Sequence, residues 1–465
     1  MELLMTRQLD VPKIRSRLSA LLSDYRIPSA AIGVLHGETI TEFAVGVKNL
    51  SSGEPATTDT IYQCGSMTKA WTALTAMQFV EEGLLDLDEP VRTYLPGFTV
   101  ADPQVSASIT SRHLLSHTHG LEEVFGNPGE SDDVYARCVD NATSAPQVHP
   151  LGHTMSYSPA LGYAILARIM EVLDGKPWDE VIKNRLFDPL GLTATSSWRE
   201  QVDRGRAATG HLIRSLEEGP FVTPVAYLPR VFGPGGNITS TVREVLAMVC
   251  LFLTGGQTQS GAQFVAAESI RQMMRPTVAI PDPYSFGHAY GLGLMLFDWH
   301  GETVYGHDGN TIGQGAYLRI LPDSQIALAM LTNGALRNSF YKKVFNEILT
   351  ELGAVTIPDL PEPDRAPKLN LSKYEGHYER PGGNRYVVSV DGGRLVMTTY
   401  LDPVQAAVLQ RPAAITHALL PISDTHFLMP TDDPLEDMQT IAIYDFEGRG
   451  ARYLHHGLRA HPRVS

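Results

Sequence analysis

Apolar residues recur at helical spacing in several stretches of the chain. From Val11 to Arg26 they fall at Ile14, Leu18, Leu21 and Leu22, the stripe of a helix that buries one face. Similar stripes predict helices over Lys69 to Glu82, Gly162 to Leu173, Trp178 to Leu186 and Arg243 to Leu253. Period-two and β-branched patterns predict strands elsewhere. "SAAIGVLHGETITEFAVGVKNL" reads as two strands joined at "HGE", and further strands follow in "YGLGLMLFDW", "TVYGHDG", "GAYLRILP" and "SQIALAMLTNG".

Strands at both ends of a segment with helices between them imply an α+β domain: one antiparallel sheet built from the two ends, with a helical lobe inserted. The helix "RNSFYKKVFNEILTELG" closes it, giving a first domain over residues 1–356. The proline-rich stretch "IPDLPEPDRAPKL", residues 357–369, is stiff and extended and forbids a long helix, so it reads as a linker. Beyond it, residues 370–465 carry short strands and turn signals such as "VDGG", the texture of a small antiparallel barrel or sandwich.

Composition narrows the partners. Of 465 residues, 43% are hydrophobic and 19% charged, as in a folded chain with a large core. The net charge of -14, with no basic run, argues against nucleic acid and anionic membranes as partners. "VLAMVCLFL" is too short to span a bilayer and reads as a buried helix. The start "MELLMTRQLDVPKIRSRL" lacks the features of a secretory signal, so a cytoplasmic location is expected. Cys64, Cys138 and Cys250 are odd in number and widely spaced, which fits neither a disulfide framework nor a metal knuckle.

Candidate chemistry begins at "IYQCGSMTKAWTAL". Ser66 and Lys69 are three apart where a loop enters a helix, so the two side chains share a face. Spacing alone is weak, since Ser339 and Lys342 repeat it in the closing helix. Company decides: Tyr157 in "MSYSPALGYAILA" and His307, Asp308 and Gly309 in "VYGHDGNTIGQGAYLRI" follow in the order Ser-x-x-Lys, middle motif, late strand motif. With "LLSHTHGL", "GPGGNITST" and "LTNG", the chain from Val11 to Leu352 resembles the serine β-lactamase and penicillin-binding-protein superfamily, on its class C-like side.

That resemblance implies a β-lactamase/transpeptidase-like domain and an acyl-enzyme on Ser66. Lys69 and Tyr157 are then the candidate bases, with reference pKa values of about 10.4 and 10 that the site must shift. It also implies an oxyanion hole from the backbone N–H groups of Ser66 and Asn310, substrate contacts at Asp308 and Gly309, and no cofactor. Two positions depart from the family. Pro159 replaces the asparagine of a Tyr-x-Asn middle motif, and His307 replaces a lysine, a fixed cation giving way to a titrating group. His113, His117 and His119 fall in a stretch that recurs in the superfamily as a structural turn, and no carboxylate set at ligand spacing makes them a metal site.

The tail "YEGHYERPGGNRYVVSVDGGRLVM" resembles the lipocalin-like barrel behind some superfamily members, among them D-aminopeptidases and the stand-alone penicillin-binding-protein-type thioesterases of nonribosomal peptide assembly. This resemblance implies a trans-acting thioesterase. It takes a peptidyl chain from a carrier-protein thioester of a nonribosomal peptide synthetase and cyclises it, with preference for a D-configured C-terminal residue. Arg452 and Arg459, on late strands, are candidates for contacting the peptide or closing the pocket. The alternatives are a D-stereospecific peptidase, amidase or esterase, and an inactive binding protein that kept the fold.

Overall fold

Asp10 accepts the Lys13 N–H and opens the predicted first helix, α1 (Val11–Asp24). In the computed structural model, residues 8–213, 217–334, 337–363, 369–401, 412–431, 433–448 and 450–465 are described. The hairpin read around "HGE" forms as β1 (Ser29–His36) and β2 (Thr39–Gly46). Three helices that matter for the site follow: α2 (Thr68–Glu81), α3 (Leu161–Asp174) and α4 (Val242–Thr254). The late strands are β3 (Val278–Ala279), β4 (Ala289–Tyr290), β5 (Met295–Trp299), β6 (Glu302–Thr311), β7 (Gln314–Leu321) and β8 (Ile326–Thr332), closed by α5 (Asn338–Leu352).

These strands make one eight-stranded sheet in the order β2-β1-β8-β7-β6-β5-β4-β3. The two ends of the segment meet where β1 pairs antiparallel with β8, Ala31 opposite Leu331. Alternation along β1 divides the core. Ala30, Ile32 and Val34 pack with α1 and α5, whereas Ala31 and Leu35 face the larger cluster around α2, α3 and α4. Gly33 is the point of closest approach, because a Cβ there would lie 2.7 Å from Leu246 of α4.

"VLAMVCLFL" is a buried helix, as its pattern predicts. Among the described residues no helix is long and apolar enough to cross a membrane. Trp178–Ile182 continues into a π turn, Lys183–Phe187, instead of a single helix. Residues 364–368 of the proline-rich linker lie outside the described residues.

The C-terminal strands are β9 (Gly376–Glu379), β10 (Arg385–Asp391), β11 (Arg394–Tyr400), β12 (Ala414–Ala418), β13 (Leu420–Pro421), β14 (His426–Met429), β15 (Gln439–Glu447), β16 (Gly450–His456) and β17 (Arg459–Pro462). Among the described residues they form a four-stranded and a five-stranded antiparallel sheet and not one closed barrel. Among the described residues the two meet at one bridge, between Tyr378 and Arg463. Pro462 explains the gap: the Val464 N–H bonds His377 O at 2.8 Å, and two residues earlier, where the next N–H toward β9 is due, proline has none.

Candidate active site

Ser66 is set on a 3₁₀ turn, Gly65–Met67, that runs straight into α2. Gly65 enters that turn at φ +52, and a Cβ there would fall 2.5 Å from the Asn310 nitrogen. Gly309, on β6, faces the same seam: its Cβ would meet Cys64 O at 1.9 Å and the Ser66 nitrogen at 3.1 Å. Two glycines therefore let the serine turn and β6 touch backbone to backbone. The contact brings the backbone nitrogens of Ser66 and Asn310 to the same seam.

Lys69 is fully buried at the base of this turn. Its Nζ lies 3.3 Å from Ser66 Oγ, 2.9 Å from Pro159 O and 2.8 Å from Gly235 O. An ammonium satisfies all three oxygens as a donor. A neutral amine donates to the two carbonyls and turns its lone pair toward the Ser66 hydroxyl, so the harness fits the state a base needs. Burial lowers the Lys69 pKa to about 7, with the Glu123 carboxylate opposing the shift and Arg459 adding to it.

Tyr157 is held from three sides. Its N–H donates to Leu458 O at 2.8 Å, its neighbour Ser158 donates an N–H to His117 Nδ1 at 3.1 Å, and its ring lies 4.3 Å from the His117 ring. His117 has φ +58, so the "LLSHTHGL" stretch turns sharply beneath the tyrosine. The Tyr157 hydroxyl is buried with no ordinary hydrogen-bond partner among the described residues. Burial raises its pKa, and Ser66 is the chief opposing influence, so the phenol keeps its proton at neutral pH. The Lys69 Nζ stands 4.8 Å from the Tyr157 ring centre.

His307 projects from β6 toward this cluster, 6.1 Å from Tyr157 between ring centres. Its Nε2 is 3.0 Å from the Tyr290 hydroxyl and its Nδ1 is 2.6 Å from Asp308 O. Burial, with Lys69 nearby, pushes its pKa down to about 3. It is a neutral imidazole under ordinary conditions, not a stand-in for a fixed positive charge.

A serine, a buried amine, a phenol and an imidazole gather beside an antiparallel sheet, and comparison with known proteins gives the family. The family described as Beta-lactamase matches residues 14–349. This chain belongs to that family. The penicillin-binding protein 4 of Amycolatopsis lactamdurans is 38% identical over 373 residues, 79% of this chain and 97% of its own. The structure of SurE superposes with a TM-score of 0.76 at 26% identity, over 97% of this chain and 98% of that one. SurE with D-Leu gives a TM-score of 0.74. The unguisins hydrolase ungD' of Aspergillus campestris is 23% identical over 451 residues, 88% of this chain and 82% of its own.

In this β-lactamase-family chain the two candidate arginines part company. Arg459 reaches Glu122 at 3.5 Å and sits close enough to Tyr157, Glu123 and Lys69 to act on their charges. Its hairpin is pinned to the loop that carries Tyr157, since Ala460 N–H donates to Ser156 Oγ at 3.2 Å beside the Leu458–Tyr157 bond. Arg452 is half-buried and faces Asp445 and Glu447 of its own sheet at 3.7 and 3.3 Å. Nor does the structure bring the Asp308 carboxylate to the serine. It takes Arg319 in two hydrogen bonds of 2.5 and 3.0 Å, on the face of the sheet opposite His307. Arg319 lies between Phe297 and Tyr341, 4.3 and 4.8 Å from their ring centres, so the pair is structural packing.

Ser339 and Lys342 have other partners: Ser339 Oγ accepts Asp437 N–H at 2.9 Å and Lys342 bonds Asp359 at 2.8 Å. Sequence reasoning missed Glu122 and Glu123, although the paired acids directly follow "LLSHTHGL". Arg380, just past the end of β9, bonds Glu122 at 2.7 and 2.8 Å, so it and Arg459 of β17 converge on that carboxylate. Sequence reasoning also missed the carbonyls of Pro159 and Gly235, because a backbone oxygen leaves no mark in residue type. Among the described residues no three His, Cys, Asp or Glu gather as metal ligands.

Proposed function

We propose that this protein is a serine acyltransferase that releases and macrocyclises a peptide from a carrier-protein thioester. Ser66 is the nucleophile, Lys69 the base, Tyr157 a proton donor and relay, and His307 a neutral hydrogen-bonding partner beside them. The observation that carries the reading is the Lys69 harness, which satisfies two N–H bonds on carbonyls and leaves the third direction to Ser66. Ser66 Oγ gives its proton to Lys69 and attacks the thioester carbonyl, while the N–H groups of Ser66 and Asn310 hold the oxyanion. Collapse expels the carrier thiolate, which takes a proton from Lys69 through Tyr157. The peptide's own amine then attacks the acyl-enzyme, its proton passes back to Lys69, and Ser66 leaves reprotonated with a cyclic product.

Lys69 suits this work because its amine is accessible near neutral pH. A shift from 10.5 to about 7 raises the neutral fraction at pH 7 from on the order of one in three thousand to about half. The C-terminal strands support the choice of an amine acceptor. Their Leu458–Ala460 segment hems the catalytic loop, and shielding an acyl-enzyme from water favours aminolysis over hydrolysis. Full-length similarity to SurE, which has been solved with D-Leu, supports a D-configured residue at the acyl position, and in this reading Arg459 contacts the peptide.

The second reading is a D-stereospecific hydrolase with water as acceptor, favoured by the likeness to an unguisins hydrolase across most of both chains. Incubation with a peptidyl thioester ending in a D-residue, followed by intact-protein mass and product analysis, separates the two. A Ser66 adduct that resolves to a cyclic product supports the cyclase. An adduct that resolves only to free acid supports the hydrolase, and no adduct refutes both.

A further inference from the structure

Pro159 stands where the family carries asparagine, yet Lys69 still receives a partner there, the Pro159 carbonyl at 2.9 Å. That oxygen sits in the turn from Ser158 to Leu161, and one carboxylate ties both ends of the turn. Ser158 Oγ donates to Glu123 Oε1 at 2.6 Å, and Leu161 N–H donates to Glu123 Oε2 at 3.0 Å. Ser158 Oγ also accepts Gly162 N–H at 3.1 Å. Ala160, the residue that caps α3, has no side chain able to accept, so Glu123 supplies from another loop the anion that a helix start favours. On the far side, a Cβ on Gly235 would lie 2.5 Å from Pro159 O, so the oxygen is packed against backbone as well.

We propose that Glu123 is a positioning residue of the acyl-transfer centre: by bracing the Ser158–Leu161 turn it presents the Pro159 carbonyl to Lys69, in place of the amide that the middle motif lacks here. The proposal rests on the Ser66–Lys69 reading above and is independent of whether an amine or water resolves the acyl-enzyme. The charged and titratable groups around Lys69 are Glu123, Arg459, Tyr157 and Tyr163, with His117 and His307 held neutral by burial. Among them Glu123 is the group that favours the ammonium. Its loss therefore has two signatures, a slower reaction from a displaced amine and an acid limb moved to lower pH.

The experiment measures single-turnover acylation of the full-length protein by a p-nitrophenyl ester of an N-acyl D-amino acid, across pH. Ser66→Ala comes first: undiminished acylation there ends the underlying reading, whatever Glu123 does. Given Ser66-dependent acylation, Glu123→Ala is expected to slow it by about 10–100-fold, with the acid limb shifted down and substrate affinity little changed. Adding Pro159→Asn to Glu123→Ala is expected to recover about tenfold by returning an amide to the lysine. Glu123→Gln, which keeps the Ser158 bond, is expected to fall between. Acylation by Glu123→Ala within about twofold of wild type overturns the proposal. So does a loss that Pro159→Asn leaves unrepaired while the thermal midpoint is unchanged. If Glu123→Ala does not fold, Glu123→Gln with and without Pro159→Asn decides by the same criteria.

Discussion

The pH dependence of acylation is the sharpest test of the buried amine. Lys69 must be neutral to take the Ser66 proton, and its pKa is lowered to about 7 by burial. The rate should therefore rise with pH through about 7 and level off above. From pH 7 to pH 5 the neutral fraction falls from about one half to about one hundredth, a loss of about fiftyfold, equivalent to about 2.3 kcal/mol in the barrier. His307, pushed down to about 3, contributes no limb in this range, and burial raises Tyr157, so the plateau should persist well above neutrality. Stopped-flow release of p-nitrophenol in the acylation burst reads the limb directly. His307→Gln should leave its midpoint in place apart from a small change in Lys69's surroundings. A midpoint near 10, as for an exposed lysine, would refute the desolvation argument. A limb that vanishes in His307→Gln would assign the base to the imidazole instead.

Gly309→Ala should abolish Ser66 labelling, because the new methyl would sit 1.9 Å from Cys64 O and must push the serine turn off β6; fluorophosphonate labelling of the folded variant checks this. Arg319→Met strands the Asp308 carboxylate in the interior and should cost about 3–5 kcal/mol in urea unfolding, whereas a neutral result would mean water reaches that carboxylate. Arg459→Ala should slow acyl transfer and, by removing a positive charge beside Lys69, move the acid limb to higher pH; Arg452→Ala, at a residue that faces Asp445 and Glu447 of its own sheet, should do neither. Equal effects of the two arginine variants on steady-state rate profiles would contradict the placement of the Leu458–Arg459 hairpin.

Much of the framework was legible before folding. The stripe Ile14, Leu18, Leu21, Leu22 and the run "VLAMVCLFL" determined buried helices, because apolar periodicity is a local property that burial then uses. The order Ser66-x-x-Lys69, Tyr157, His307 determined the family resemblance, and the three-residue spacing brings the first two side chains together. Only the tertiary structure decided the rest. Asp308 and His307 are adjacent in sequence, yet strand alternation sends one to Arg319 and the other to Tyr290. Arg452 and Arg459 share a hairpin, yet only the turn of that hairpin meets Tyr157. The Lys69 partners are backbone oxygens 90 and 166 residues away, invisible to residue type. A protonation state depends on burial and on the sum of all nearby charges, and the sequence lists those charges without their distances.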